Sequence, residues 1–138
     1  MKKIVCILIG IIGGGAHYLV YECNVAIQTL LVFMSIDYIT GMVNAIVFKK
    51  SPKSKTGTLN SSVGWKGLCK KGMMILYVLV GIRLDILLEV RCVADMICIG
   101  FITNELISII ENAGLMGIPL PMALNKVVEL LKEKQNKE

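Results

Sequence analysis

Between Lys3 and Glu22 the chain carries no Asp, Glu, Lys or Arg, and between Glu22 and Lys49 it carries only Asp37. A helix on a soluble domain shows one face to water and needs charge there. Consecutive stretches of this length without charge call for lipid on every side. Apolar segments can be read over residues 4–21, 25–48, 73–88 and 93–112. The second has 24 residues, about 36 Å of helix, and spans a bilayer with some tilt. The short connection Glu22-Cys23-Asn24 makes the first two an antiparallel hairpin. The fourth is the weakest span, interrupted by Asp95, Asn104, Glu105 and Glu111. The expected fold is an all-α integral membrane protein. It has a four-helix transmembrane bundle over residues 1–121, or three spans if the fourth segment lies at the interface.

Met1-Lys2-Lys3 before an apolar run also opens a secretory signal peptide. Apolar character continues through Tyr18-Leu19-Val20, however, and the next segment follows at once, which favours a retained helix. Gly10 and Gly14 have the small-xxx-small spacing that lets helix backbones approach closely in lipid. Glycine is also simply common in membrane helices, and the spacing alone does not separate the two readings.

Residues 122–138 differ in kind. Leu124, Val127, Val128 and Leu131 recur at i, i+3, i+4 and i+7, while Lys126, Glu129, Lys132 and Glu133 take the other face. This is a short amphipathic tail helix, too charged to span. It rests on the membrane surface or packs against copies of itself.

The formal charge of +5 raises the question of nucleic acid, and its distribution answers it. Lys49, Lys50, Lys53, Lys55, Lys66, Lys70 and Lys71 lie in one stretch, residues 49–72, that contains no acid and is flanked by membrane-grade segments. That is the pattern of a cytoplasmic loop, and nucleic acid is not an expected partner. Ser51-Pro52 stops the preceding helix, and Gly57, Asn60, Ser61 and Ser62 read as turn residues. The stretch around Trp65 either lies along the membrane surface, with the indole at headgroup depth, or forms a solvated loop. With four spans, all thirteen lysines fall on one side, and the opposite loops hold Glu22, Arg83, Asp85, Glu89, Arg91 and Asp95. Both termini are then cytoplasmic in a multi-pass protein of the bacterial cytoplasmic membrane.

Cys6, Cys23, Cys69, Cys92 and Cys98 form no C-x-x-C pair and no Cys/His cluster. No set of nucleophile, base and oxyanion donors stands out, nor any phosphate-binding glycine loop. The expectation is a protein that is not an enzyme and holds no cofactor or metal. Its informative polar groups lie inside the apolar segments. Asp37, Thr40, Gly41 and Asn44 fall on one narrow stripe, and Asn104, Glu105, Ser108, Glu111 and Asn112 share one side of the fourth segment. An ionised carboxylate at bilayer centre costs about 2.5–3.5 kcal/mol on insertion scales, so the stripes face each other, another copy or water. They are interhelical hydrogen-bonding glue, or they line a pore or a wet oligomer interface. A small proton-coupled transporter and a non-conducting scaffold fit the same residues.

Taken in order, these residues resemble a known pattern. Asp37-Tyr38-Ile39-Thr40-Gly41 is similar to the D-Y-x-T-G signature of the toxin-secretion/phage-lysis holin family. Gly64-Trp65-Lys66-Gly67 with Lys70-Lys71 resembles that family's basic element, and Asn104-Glu105 with Ser108-Ile109-Ile110-Glu111-Asn112 resembles its N-E-x-x-S-I-x-E-N run. Gly117-Ile118-Pro119-Leu120-Pro121 is similar to its G-(V/I)-P-(L/I)-P run before a charged tail. The first segment carries no such motif, and the basic loop is longer than is usual in the family. The resemblance implies a phage- or prophage-encoded holin that homo-oligomerises among membrane lipids and opens lesions. Those lesions release a wall hydrolase or a large toxin that need not bind it directly. A holin antagonist would use the same interfaces without opening.

Overall fold

The computed structural model describes residues 24–137 except 54 and 59, together with residues 3, 4, 6, 7, 10 and 14. Those isolated positions are helical; the rest of the span expected over residues 4–21 lies outside the described residues. Among the described residues the chain is all-helical, with no strand.

Helix α1, Val25–Val43, starts at Asn24, whose side chain accepts a hydrogen bond from the Ala26 amide at 3.1 Å. It continues as a π-helical turn, Asn44–Phe48, and stops at Lys49, which is left-handed at φ 51° and donates its amide to the Asn44 carbonyl. Helix α2, Ser61–Leu88, is capped by the Asn60 side chain, which accepts from Ser62 N at 3.0 Å. The linker thus ends at residue 60 and not at 72, a correction to the expected loop. Gly64, Gly67 and the lysines read as loop chemistry, but a helix tolerates exposed lysine and pays only about 1 kcal/mol for glycine. Lys66 and Lys70 do face outward.

Helix α3, Val93–Leu115, ends in a Schellman turn. Gly117, at φ 80°, donates to the Gly114 carbonyl, and the Ile118 amide reaches Ala113. The left-handed terminator is therefore Gly117. Pro119 and Pro121 follow, and α4, Met122–Lys137, runs back along α3.

Helix α3 is the centre of the packing, with α1, α2 and α4 around it, whereas α1 and α2 touch each other only marginally. Leu30 and Met34 of α1, Val78 of α2, and Cys98 and Ile102 of α3 form the core, against which Phe33, Met74, Ile82, Phe101 and Leu131 pack. Helices α2 and α3 come closest at Gly81. A Cβ there would stand 2.8 Å from Ile97 Cδ1 and 3.0 Å from Ala94 Cα, so only glycine admits the crossing. At this same end, Asn24 Nδ2 donates to Asp95 Oδ1 at 2.6 Å. The Asp85 carboxylate accepts the amides of Cys92, Val93 and Ala94 at 2.8–3.1 Å, capping the first turn of α3.

The core is thin for the apolar content of the chain. Ile39, Val47, Tyr77, Val80 and Leu87 are all more than half exposed, which leaves broad apolar flanks facing outward. Among the described residues, α1 with its π-helical continuation and α3 are long and apolar enough to cross a membrane. That reverses the sequence ranking of the fourth segment as the weakest: its carboxylate, Glu105, is turned inward and the flank it leaves is apolar. Helix α2 is longer, but Lys66, Lys70, Lys71, Arg83 and Asp85 break its apolar character. Leu131 of the tail helix is seated against the core of its own chain.

Candidate functional site

The two polar stripes meet inside the protein. Positions 37, 40, 41 and 44 of α1 repeat at helical period, as do 105, 108 and 112 of α3, so each helix turns a polar ridge toward the other. Asp37, Asn44, Glu105 and Asn112 are at most 6 % exposed. Asn112 is the hub. Its Nδ2 donates to Thr40 Oγ1 at 3.0 Å and to Asp37 Oδ1 at 3.2 Å, and its backbone carbonyl accepts from Asn44 Nδ2 at 3.0 Å. Thr40 Oγ1 also donates to the Asp37 carbonyl at 3.1 Å. Gly41 borders the hub, and a Cβ there would lie 3.8 Å from Asn112 Nδ2, an ordinary contact.

The charge that answers these carboxylates comes from a third helix. Lys71 of α2 reaches in, its side chain 12 % exposed, and its ammonium stands 2.8 Å from Asp37 Oδ2 and 2.5 Å from Glu105 Oε2. Lys71 is therefore an interior residue, not a membrane-surface lysine like its neighbours, and this corrects the sequence reading. Adjacent positions on a helix differ by about 100°, so Lys70 and Lys71 cannot face the same way. The signal available in the sequence was the pair of acids in apolar segments, which requires a cation nearby.

The remaining stripe residues divide. Ser108 flanks the Asp37 carboxyl, whereas Asn104 and Glu111 are exposed and sit at the rim. A cavity of about 390 Å³ opens between this network and the linker, lined by Asn44, Lys53, Asn60, Lys71, Glu111 and Asn112 among others. Asn44 Oδ1 is buried there with no hydrogen-bond partner among the described residues. Lys49, Lys50, Lys53, Lys55, Trp65, Lys66 and Lys70 are exposed, as a surface role requires. Gly10 and Gly14 are helical, and among the described residues nothing lies within 4 Å of a Cβ built on either.

Two carboxylates and one ammonium, tied to two amides, make a network with hydrogen-bonding and charge-storing capacity but no nucleophile. The three charged groups come from three different helices, so the network holds those helices together only while they stay in place.

The model of the bacteriophage holin family matches residues 14–133. The chain belongs to the bacteriophage holin family. The chain is 35 % identical to an uncharacterised protein of Clostridium perfringens over 96 % of each chain. It is 37 % identical to a 14.9 kDa protein of the same species over 81 % of this chain and 80 % of that one. It is also 28 % identical to a protein named probable holin of Bacillus phage phi105, covering 77 % of this chain and 73 % of the phage protein. No solved structure matches. Holin membership and the two apolar helices together indicate a membrane protein, and the family is not one of enzymes.

Proposed function

We propose that this chain acts as a holin. It accumulates in the bacterial cytoplasmic membrane with both termini inside, associates with copies of itself, and opens lesions that let a wall hydrolase or a large toxin out. The observation that carries this reading is the Asp37–Lys71–Glu105 network, a charged cluster folded inward between helices apolar enough for lipid. In the closed protomer the charges satisfy one another. When helices part, the same side chains become a polar wall that water can wet, at a depth where lipid would exclude them. Glue in one state and pore lining in the other are thus two uses of one stripe.

The test is induced expression in a bacterium with and without a cytoplasmic wall hydrolase. Prompt lysis only when the hydrolase is present, with release of a cytoplasmic marker enzyme, is the expected result. Leakage of small dyes without the enzyme would instead mark a small-solute conductor, and absence of any effect would mark an antagonist or scaffold. Within a lytic chain, Asp37→Leu is expected to shift the time of lysis, and unchanged timing removes Asp37 from the mechanism.

A further inference from the structure

A second hollow, about 960 Å³, lies on the outer flank between α2 and α3, its floor shared with residues that pack on the core. Its walls include Lys70, Met73 and Tyr77 of α2 and Met96, Phe101 and Asn104 of α3. Tyr77 and Phe101 face across it with ring centroids 6.3 Å apart. Met73 and Tyr77 are more than half exposed, so the hollow is an open groove and not a sealed void.

Its chemistry is ordered along its length. Positions 66, 70, 73 and 77 follow one another at i, i+4, i+7 and i+11, which puts Lys66 and Lys70 on the stripe that continues as Met73 and Tyr77. Asn104 stands at the lysine end of the opposite wall, and Met96 lies toward the other end. Among the described residues, no acid lines the groove. The nearby carboxylates of Asp37 and Glu105 are already taken by Lys71. The groove therefore offers one lining cation, Lys70, and an amide, with Lys66 one turn further along the same stripe, then about 10 Å of methionine and aromatic surface below them.

We propose that this groove is a binding site for one anionic phospholipid, with its phosphate at Lys66, Lys70 and Asn104 and an acyl chain against Met73, Tyr77 and Phe101. The order of charge followed by apolar surface is that of a phospholipid. Flexible thioethers suit a chain without fixed shape. A second copy of the helix pair would bring its own lysines against these lysines if it packed in parallel, and like charges repel. A net negative headgroup is preferred over a zwitterionic one because no carboxylate among the described residues stands beside Lys70 and Asn104 to pair with a choline or ethanolamine. The proposal rests on the chain being membrane-embedded and is independent of lesion formation.

Native mass spectrometry of the full chain, released from micelles supplied with phosphatidylglycerol and phosphatidylcholine of identical chains, tests it. Preferential retention of phosphatidylglycerol is expected. Each lysine near an anionic headgroup contributes roughly fivefold in affinity, so Lys66→Gln/Lys70→Gln should weaken retention on the order of twentyfold or more. Lys132→Gln/Lys134→Gln, with the same loss of charge on the tail, should leave it unchanged. A second measurement uses a single tryptophan at the deep end, Met96→Trp in a Trp65→Phe background. Phosphatidylglycerol brominated on its chain should quench it at mole fractions where brominated phosphatidylcholine does not. Equal retention of the two lipids, equal loss from both double variants, or a lipid-free dimer occupying the groove would each overturn the proposal. None of these outcomes bears on whether the chain lyses cells.

Discussion

Asp37, midway along α1 and its π-helical continuation, and Asp85, near the C-terminal end of α2, are both helix carboxylates, and their bonding differs in kind. Asp85 is satisfied by three backbone amides within nine residues of it, those of Cys92, Val93 and Ala94. That contact forms as the α2–α3 turn forms and asks nothing of α1 or α4. Asp37 depends on Lys71, 34 residues away, and on Asn112, 75 residues away, so it is satisfied only when α1, α2 and α3 are assembled. A local cap survives rearrangement of the bundle. A three-helix ion network does not, so the Asp85 cap is the more robust of the two sites to movement of the helices.

Substitutions should separate the two sites. The largest effect is expected from Lys71→Met, which strands two carboxylates in the interior at a cost of about 3–5 kcal/mol. Folded yield and thermal melting in detergent should fall sharply, and adding Asp37→Asn and Glu105→Gln should recover much of the loss. If Lys71→Met melts like the parent, the network is not what joins the helices. Gly81→Val comes next, because its side chain would enter space held by Ile97 and the Ala94 backbone; the expected cost is about 1–3 kcal/mol, read from the same melts. Smallest is Asp85→Ala. Hydrogen exchange should quicken at the amides of Cys92, Val93 and Ala94 while amides beside Asp37 stay protected, and a spread of the effect to that site would erase the distinction drawn here.

The parts of this arrangement that were legible in the sequence are those written at helical period. Asp37, Thr40 and Asn44 announce a ridge on one helix, Glu105, Ser108 and Asn112 announce another, and burial costs require each to face the other, another copy or water; the fold chooses the first. Lys71 was not legible, because pairing between helices leaves no periodic trace and its neighbour Lys70 has the same chemistry with the opposite fate. The start of α2 was hidden by Asn60-Ser61-Ser62, residues that serve a turn or an N-cap equally well. The separation of Asn104 and Glu111 from the buried ridge is a matter of one position's rotation about the helix axis. The seat of Leu131 on the core depends on the Gly117 turn, and no count of apolar residues in the tail could reveal it.

The contact at Gly81 also fixes the molecule's mechanics. With the backbones of α2 and α3 nearly touching there, and their joining turn braced by Asp85, that end is a pivot and the opposite arm of α2 is a lever. Lys71 sits ten residues up the arm, about 15 Å from the pivot. Swinging the arm by about 10° carries the ammonium about 2.6 Å, enough to stretch a hydrogen bond past its working range. A sway this small would turn a closed circuit of charge into an open one.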